Sequence, residues 1–225
     1  MKKKLWYKNN DTLTGYMFLT PALLILGLFL FIPTMMTLYY SLTDYYMLTP
    51  DLTAFIGLDN FKALLQDKLF LKSIGNIFKF VLFIMPIQVG TALFLALLVN
   101  NKARGTIFYK IAFFSPVVMS LVVVSVLWLY LLNPADGLIN VIFEAIGFNP
   151  QPLLTSPKQA MYVIIMISAW QGAGYQMLIF LAGLQNIPSE VYEASKIDGA
   201  TKWEQFRHIT LPMLKPTSLM ILTTT

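Results

Sequence analysis

Four long stretches of the chain carry no Asp, Glu, Lys, Arg or His: Tyr16 to Thr43, Phe80 to Asn101, Ile111 to Ala135 and Gln159 to Ser189. Each exceeds the roughly 20 apolar residues that a helix needs to cross the hydrocarbon core of a bilayer. They predict four membrane-spanning helices, at approximately residues 14–42, 78–100, 108–132 and 159–187. The first polar link has a pattern of its own, Phe61, Leu64, Leu65 and Leu69 set against Lys62, Gln66, Asp67 and Lys68, which predicts a short amphipathic helix near the surface. After Pro216 the chain turns apolar again, from Ser218 to Thr225. A terminal carboxylate stranded in hydrocarbon is costly, so residues 213–225 are expected to be a truncated fifth span, with at least one further span beyond it.

Composition agrees with this pattern. Of 225 residues, 57% are hydrophobic and 12% charged, against about a quarter charged in soluble domains. A chain this short has too little polar surface to enclose four such helices, so the expected fold class is all-α, a polytopic membrane helical bundle forming a single transmembrane domain over residues 1–225. Lys2, Lys3 and Lys4 ahead of an apolar run have the look of a secretory signal, but the run is too long and no small-residue cleavage pattern follows it, so the first span is expected to be retained. The absence of cysteine excludes a disulfide scaffold and thiolate metal sites. The net charge of +5 and pI near 9.3 would suit a nucleic-acid partner, but the basic residues flank the spans as membrane anchors do, which points to the lipid bilayer instead.

The densest basic clusters are Lys2, Lys3, Lys4 and Lys8 before the first span, and Lys102, Arg104 and Lys110 between the second and third. By the positive-inside rule both are cytoplasmic. That orientation places the N-terminus in the cytoplasm, Asp44 to Lys79 and Asp136 to Lys158 outside, and Glu190 to Lys215 inside again.

The richest segment is this last one, NIPSEVYEASKIDGATKWEQFRHITLPMLKP from Asn186 to Pro216. Pro188 suits the first turn of a helix and Glu190 complements its positive end. Val191, Ala194 and Ile197, with Tyr192 beside them, form an apolar face at a spacing of three. Gly199 supplies a stop, because glycine takes the left-handed conformation that ends helices. Thr201 with Glu204 is a capping box that starts a second helix, whose apolar edge is Trp203 and Phe206. Pro212 and Pro216 bracket the return to the bilayer.

This segment resembles the EAA loop of the inner-membrane components of binding-protein-dependent ABC importers. Its form is Glu-Ala-Ala, three residues, Gly, nine residues, Ile, one residue, Leu-Pro. Glu193, Ala194, Gly199, Ile209, Leu211 and Pro212 stand at those positions, with Ser195 in place of the second Ala, a small-for-small exchange expected to disturb packing little. YEASKIDGA preceded by LAGLQNIP, with GLDNF at Gly57 to Phe61, RGTIFYK at Arg104 to Lys110 and GLIN at Gly137 to Asn140, resembles the carbohydrate branch.

The resemblance implies a type I permease bundle whose cytoplasmic helix-turn-helix, residues 188–212, couples to a cytoplasmic ATP-binding subunit dimer through Glu193, Ala194, Asp198, Gly199, Ala200, Trp203, Phe206, Ile209, Leu211 and Pro212. It further implies a second homologous permease subunit, an extracytoplasmic solute-binding protein, a sugar substrate, and a prokaryotic cytoplasmic (inner) membrane. Glycerol phosphate, a polyamine or an amino acid are the other solutes such machinery carries. The chain has no G-x-x-x-x-G-K-[ST] phosphate cradle, so ATP hydrolysis is expected in a partner.

Polar residues inside the spans mark paths. Trp170, Gln171, Gly172, Tyr175 and Gln176, with Gly174, cluster in the fourth span and offer amide hydrogen bonds and aromatic faces suited to a sugar; Gln88, Ser120 and Ser125 are weaker candidates. The same cluster also reads as interhelical packing. His208 is the only histidine and has no companions for a metal site. No nucleophile, base or carboxylate pair is arranged for catalysis, so neither a catalytic residue nor a cofactor is expected. A secondary transporter would place ionisable groups within the spans, and the four complete stretches have none.

Overall fold

The computed structural model describes residues 2–100 and 106–224, with side-chain environments from residue 12 onward. The clusters at Lys2, Lys3, Lys4 and Lys8 and at Lys102 and Arg104 therefore lie outside the described side chains. The described residues are helical apart from short links and one isolated antiparallel bridge, Thr43 to Phe55. They divide into two compact units, Met1–Ile74 and Gly75–Thr225.

In the first unit, α1 (Lys2–Leu26) passes through a π-helical turn (Gly27–Phe31) into α2 (Ile32–Ser41). The turn ends two residues before Pro33, whose ring would clash with the carbonyl of Phe29 and which has no N–H to donate; a wider turn beside it eases that register. Thr12–Ser41 is a 30-residue candidate span. Its hydroxyls stay out of the hydrocarbon's way, because Thr20, Thr34 and Thr37 donate to the carbonyls of Tyr16, Leu30 and Pro33. The amphipathic stretch becomes α3 (Asp59–Gln66), pinned by Asn60 Nδ2 donating to the carbonyls of Ser41 and Thr43, both at 3.0 Å. Asp67 then caps the next helix, accepting from the N–H of Leu69 at 2.7 Å.

That helix, α4 (Lys68–Asn100), is 33 residues long and starts ten residues before the span predicted over 78–100. Lysines at 68, 72 and 79 shorten what hydrocarbon can accept but do not interrupt a helix.

Where the pattern predicts one span over 108–132, the chain forms two helices, α5 (Thr106–Val118) and α6 (Leu121–Leu131), bent by 97°. The cause is local. Pro116 cannot bond the carbonyl of Ala112, which Ser115 Oγ takes instead at 3.0 Å, and Ser120 is extended (φ −58°, ψ 138°).

After α7 (Leu138–Ala145), the 26-residue α8 (Ala160–Gln185) forms the centre of the second unit. It packs along α5 and, at its C-terminal end, on α12 (Lys215–Thr224). The core joins Ala92, Ala96 and Val99 of α4 to Ala173, Met177 and Phe180 of α8 and to Leu214 and Ile221. In a bilayer apolar burial gives little drive between helices, so association depends on close backbone approach. Glycines supply it: a Cβ on Gly174 would strike the backbone of Phe113 and come within 3.1 Å of Phe114 Cα, and one on Gly183 would lie 2.8 Å from Thr217 Oγ1.

Candidate functional site

Two short helices follow α8. The first, α9 (Ser189–Ile197), ends in a Schellman motif: Ala200 N–H donates to the Ser195 carbonyl at 2.9 Å, Gly199 N–H to the Lys196 carbonyl at 3.1 Å, and Gly199 sits at φ +80°. The second, α10 (Lys202–Gln205), opens on the complete capping box, with Thr201 N–H donating to Glu204 Oε2 at 2.7 Å and Glu204 N–H to Thr201 Oγ1 at 3.3 Å. These bonds, the backbone N–H first and the Thr201 hydroxyl second, hold the Glu204 carboxyl below the usual carboxylate range; His208 adds a smaller push the same way. A π-helical turn (Phe206–Thr210) again ends two residues before a proline, Pro212, and leads through α11 (Leu211–Met213) to α12.

Two ties that no sequence pattern signals hold the pair together. Tyr192 and Thr210 share a hydroxyl–hydroxyl bond of 2.9 Å across 18 residues. Gln205 Nε2 donates to Ser195 Oγ at 2.9 Å, and Ser195 Oγ itself donates to the Tyr192 carbonyl at 2.8 Å. Ser195 is thus more than a small residue that spares the packing. Its hydroxyl ties α9 to α10 through Gln205, a bond an alanine could not make.

The faces follow from these ties. Tyr192, Ser195, Gln205, Phe206 and Ile209 turn inward. The apolar stripe Val191, Ala194 and Ile197 of α9 is exposed, Ile197 at 87% of full accessibility, and so is Trp203 of α10, at 66%. Glu193, Asp198 and Gly199 are exposed as well, Ala200 is half-buried, and Leu211 and Pro212 are exposed at the return to the bundle. Trp203 stacks at a tilt on Phe206, ring centres 5.6 Å apart. An apolar, aromatic-edged patch held rigidly by caps and hydroxyl ties is a surface suited to fill a groove on another protein.

The cluster in α8 is distributed over the helix. Trp170 faces Trp128 of α6 edge-on, centres 5.5 Å apart. Gly172 lies against Gln88 of α4, whose amide occupies the space a Cβ would need. Gln176, one turn further on, is buried at 4% exposure. Gln171 and Tyr175, also one turn apart, share the open face, half-buried and exposed respectively. The five residues therefore do not converge on one point; Tyr175 and Trp170, 54% and 40% exposed, are the most open of them, with half-buried Gln171 one turn from Tyr175. Ser120 stands at the break between α5 and α6, while Ser125 Oγ donates to the Leu121 carbonyl. His208 Nδ1 is bonded to the Glu204 carbonyl at 3.1 Å, and among the described residues no group of three His, Cys, Asp or Glu could hold a metal.

Residues 70–225 match the family described as binding-protein-dependent transport system inner membrane component. A probable ABC transporter permease protein of Pyrococcus horikoshii is 38% identical over 204 residues, covering 89% of this chain and 70% of that one. The lactose transport system permease protein of Rhizobium radiobacter is 35% identical over 215 residues, 94% of this chain and 71% of that one. Among solved structures, a bacterial alginate ABC transporter in complex with an alginate pentasaccharide-bound periplasmic protein superposes with a TM-score of 0.78 at 27% identity, covering 97% of this chain and 73% of that one. The helical bundle is that of an ABC importer permease, and it is a transport subunit rather than an enzyme. The chain belongs to the binding-protein-dependent transport system inner membrane components, as a multi-pass permease subunit of an ABC importer.

Proposed function

We propose that this permease forms, with a second homologous permease, the path by which a sugar or sugar-like solute enters the cell, driven by a cytoplasmic ATP-binding subunit dimer and supplied by an extracytoplasmic solute-binding protein. The observation that carries the coupling part is the rigid pair α9–α10 with Ile197 and Trp203 exposed on it. In this reading Gly199 sets the angle between the helices and Glu193 anchors the pair on the ATPase. Asp198, Ala200, Ala194, Phe206, Ile209, Leu211 and Pro212 shape the contact and carry its motion into α12. The N-terminus and this loop then both lie in the cytoplasm.

The cargo part rests on the character of the open face of α8 and on the lactose permease relative. Gln171 offers an amide and Tyr175 a flat ring with a hydroxyl, and neither carries charge. Such groups bind neutral hydroxyls well and give little to a phosphate or an ammonium, which want opposite charge. Trp170, Gly172 and Gln176 support the path by fixing α8 against its neighbours.

The test is reconstitution. Expressed with its partner proteins and extracted in mild detergent, the permease is expected to bring with it an ATPase and a second permease. In proteoliposomes supplied with the binding protein it then moves a neutral saccharide only when ATP is present. Changing Gln171 and Tyr175 together to alanine should abolish uptake while ATPase binding persists. Unchanged uptake would remove both residues from the path.

A further inference from the structure

α7 is built inside out for water. Its inner face carries the polar residue Asn140, 2% exposed, with Ile139 and Phe143 beside it, and its outer face carries Leu138, Val141, Ile142 and Ala145. Leu138, Val141 and Ile142 are 54%, 53% and 46% exposed, and Ile146 and Phe148 continue the apolar surface beyond the helix end. Glu144 lies at the flank and is the only charged residue from Leu138 to Phe148.

The buried polar residue explains how the helix is held. Asn140 Nδ2 donates to the carbonyls of Pro134 at 3.1 Å and Gln151 at 3.0 Å, and its Oδ1 accepts from Gln151 N–H at 2.9 Å. Gln159 joins the clasp, donating to Gln151 Oε1 at 2.9 Å and accepting from Leu153 N–H at 2.9 Å. Gly137 lets the chain double back, since a Cβ there would collide with the backbone of Asn133 and Leu131. The clasp lays α7 against the C-terminal end of α6 and the N-terminal end of α8. Ile139 and Phe143 share a cavity of about 520 Å³ with Trp128 of the first, Leu132 just past its end, and Tyr162 and Val163 of the second.

From this arrangement we infer that α7 is an interfacial helix, lying in the plane of the bilayer at the end of the α6 and α8 spans with Leu138, Val141 and Ile142 in the acyl chains. Three observations choose lipid over a protein as the occupant. The neighbouring α6, in contact with α7, is also open to apolar surroundings, with Val126, Leu129 and Tyr130 all exposed. Tyr130 and Tyr162 stand at the same end of the two helices, the level at which aromatic side chains collect in membranes. A surface that binds and releases a soluble protein keeps a polar rim and mixed character, which this face lacks. The consequence is mechanical: α7 acts as a float that holds the outer ends of α6 and α8 at a fixed depth.

The chain has no cysteine, so a nitroxide can be placed at one chosen position. Three variants, Leu138→Cys, Ile142→Cys and Asn149→Cys, are labelled in the assembled importer, in vesicles of phosphatidylethanolamine and phosphatidylglycerol, and power saturation compares collision with oxygen and with a water-soluble nickel chelate. Labels at 138 and 142 are expected to meet oxygen several-fold more readily than the chelate, with the ratio reversed at 149. Ready access of the chelate to 138 and 142 would overturn the inference in favour of water. Shielding of both positions from both reagents would overturn it in favour of a protein partner, the second permease if constant and the binding protein if it appears only on docking. Two test positions keep the measurement decisive if one replacement disturbs assembly. The result does not depend on the cargo or on the ATPase contact.

Discussion

Replacing Gly199 by alanine, valine and asparagine separates backbone strain from lost contacts. The residue sits at φ +80°, and a Cβ added there meets no atom within 4 Å. No steric clash is therefore introduced, and the penalty is torsional: about 1–2 kcal/mol for an ordinary L residue held left-handed, less for asparagine, which tolerates that region. Such a penalty lowers the population of the bent turn roughly five- to thirty-fold. The turn's two closing bonds, Ala200 N–H to Ser195 and Gly199 N–H to Lys196, go with it. In proteoliposomes containing the assembled importer, solute moved per ATP hydrolysed is expected to fall in the order glycine, asparagine, alanine, valine, with valine lowest because its branched Cβ suits that region least. A valine protein that assembles and couples like the parent would refute the reasoning. Asparagine behaving as badly as valine would show that exposed glycine backbone, rather than its φ, is what the ATPase needs.

Four further outcomes follow from the geometry. Ser195→Ala removes the hydroxyl that accepts from Gln205; the loop is expected to lose about 1 kcal/mol and to show faster hydrogen exchange over α9 and α10, whereas unchanged protection would deny the tie any role. Gly174→Leu drives a side chain into the backbone of α5, and a destabilisation of about 1–3 kcal/mol is expected as a lower melting temperature in detergent; Gly75→Leu, where no atom lies within 4 Å of the added Cβ, is the tolerated control. The Glu204 carboxyl is held in its charged form by Thr201, so its contribution to the cap is present above the ordinary glutamate pKa and is lost as pH falls through its own lower value. Carboxyl carbon NMR should place its titration below that of an ordinary glutamate, and Thr201→Ala should move it back up. Asn140→Leu leaves the part-buried Gln151 N–H without its partner, at about 1–3 kcal/mol, and should release the link 133–159 to exchange while the loop at Gly199 stays protected.

The features legible in the sequence are those fixed by neighbours close along the chain. Gly199 and the Thr201–Glu204 box are local devices, and each has the geometry its residues predict. The long apolar stretches became helices for the same reason, with α8 filling most of its charge-free run. Direction was another matter. Hydropathy over 108–132 reports that the chain is in hydrocarbon, not that Pro116 and Ser120 turn it by 97°. The inward and outward faces of α9 were decided by Ser195 with Gln205 and by Tyr192 with Thr210, pairs 10 and 18 residues apart that no periodicity encodes. In α8 the polar cluster is contiguous in sequence, but 100° per residue spreads Trp170, Gly172 and Gln171 over three faces. Only the partners Trp128 and Gln88 reveal which face is packed and which is open.

The most direct test places a photoreactive residue at Ile197, exposed on the helix pair, in intact cells expressing the importer. Irradiation is expected to join this chain to an ATP-binding subunit, and a membrane-impermeant reagent added outside should fail to reach a cysteine at the same position. Labelling of that cysteine from outside, or the absence of any ATP-binding subunit among the cross-linked products of a transporting cell, would contradict the account.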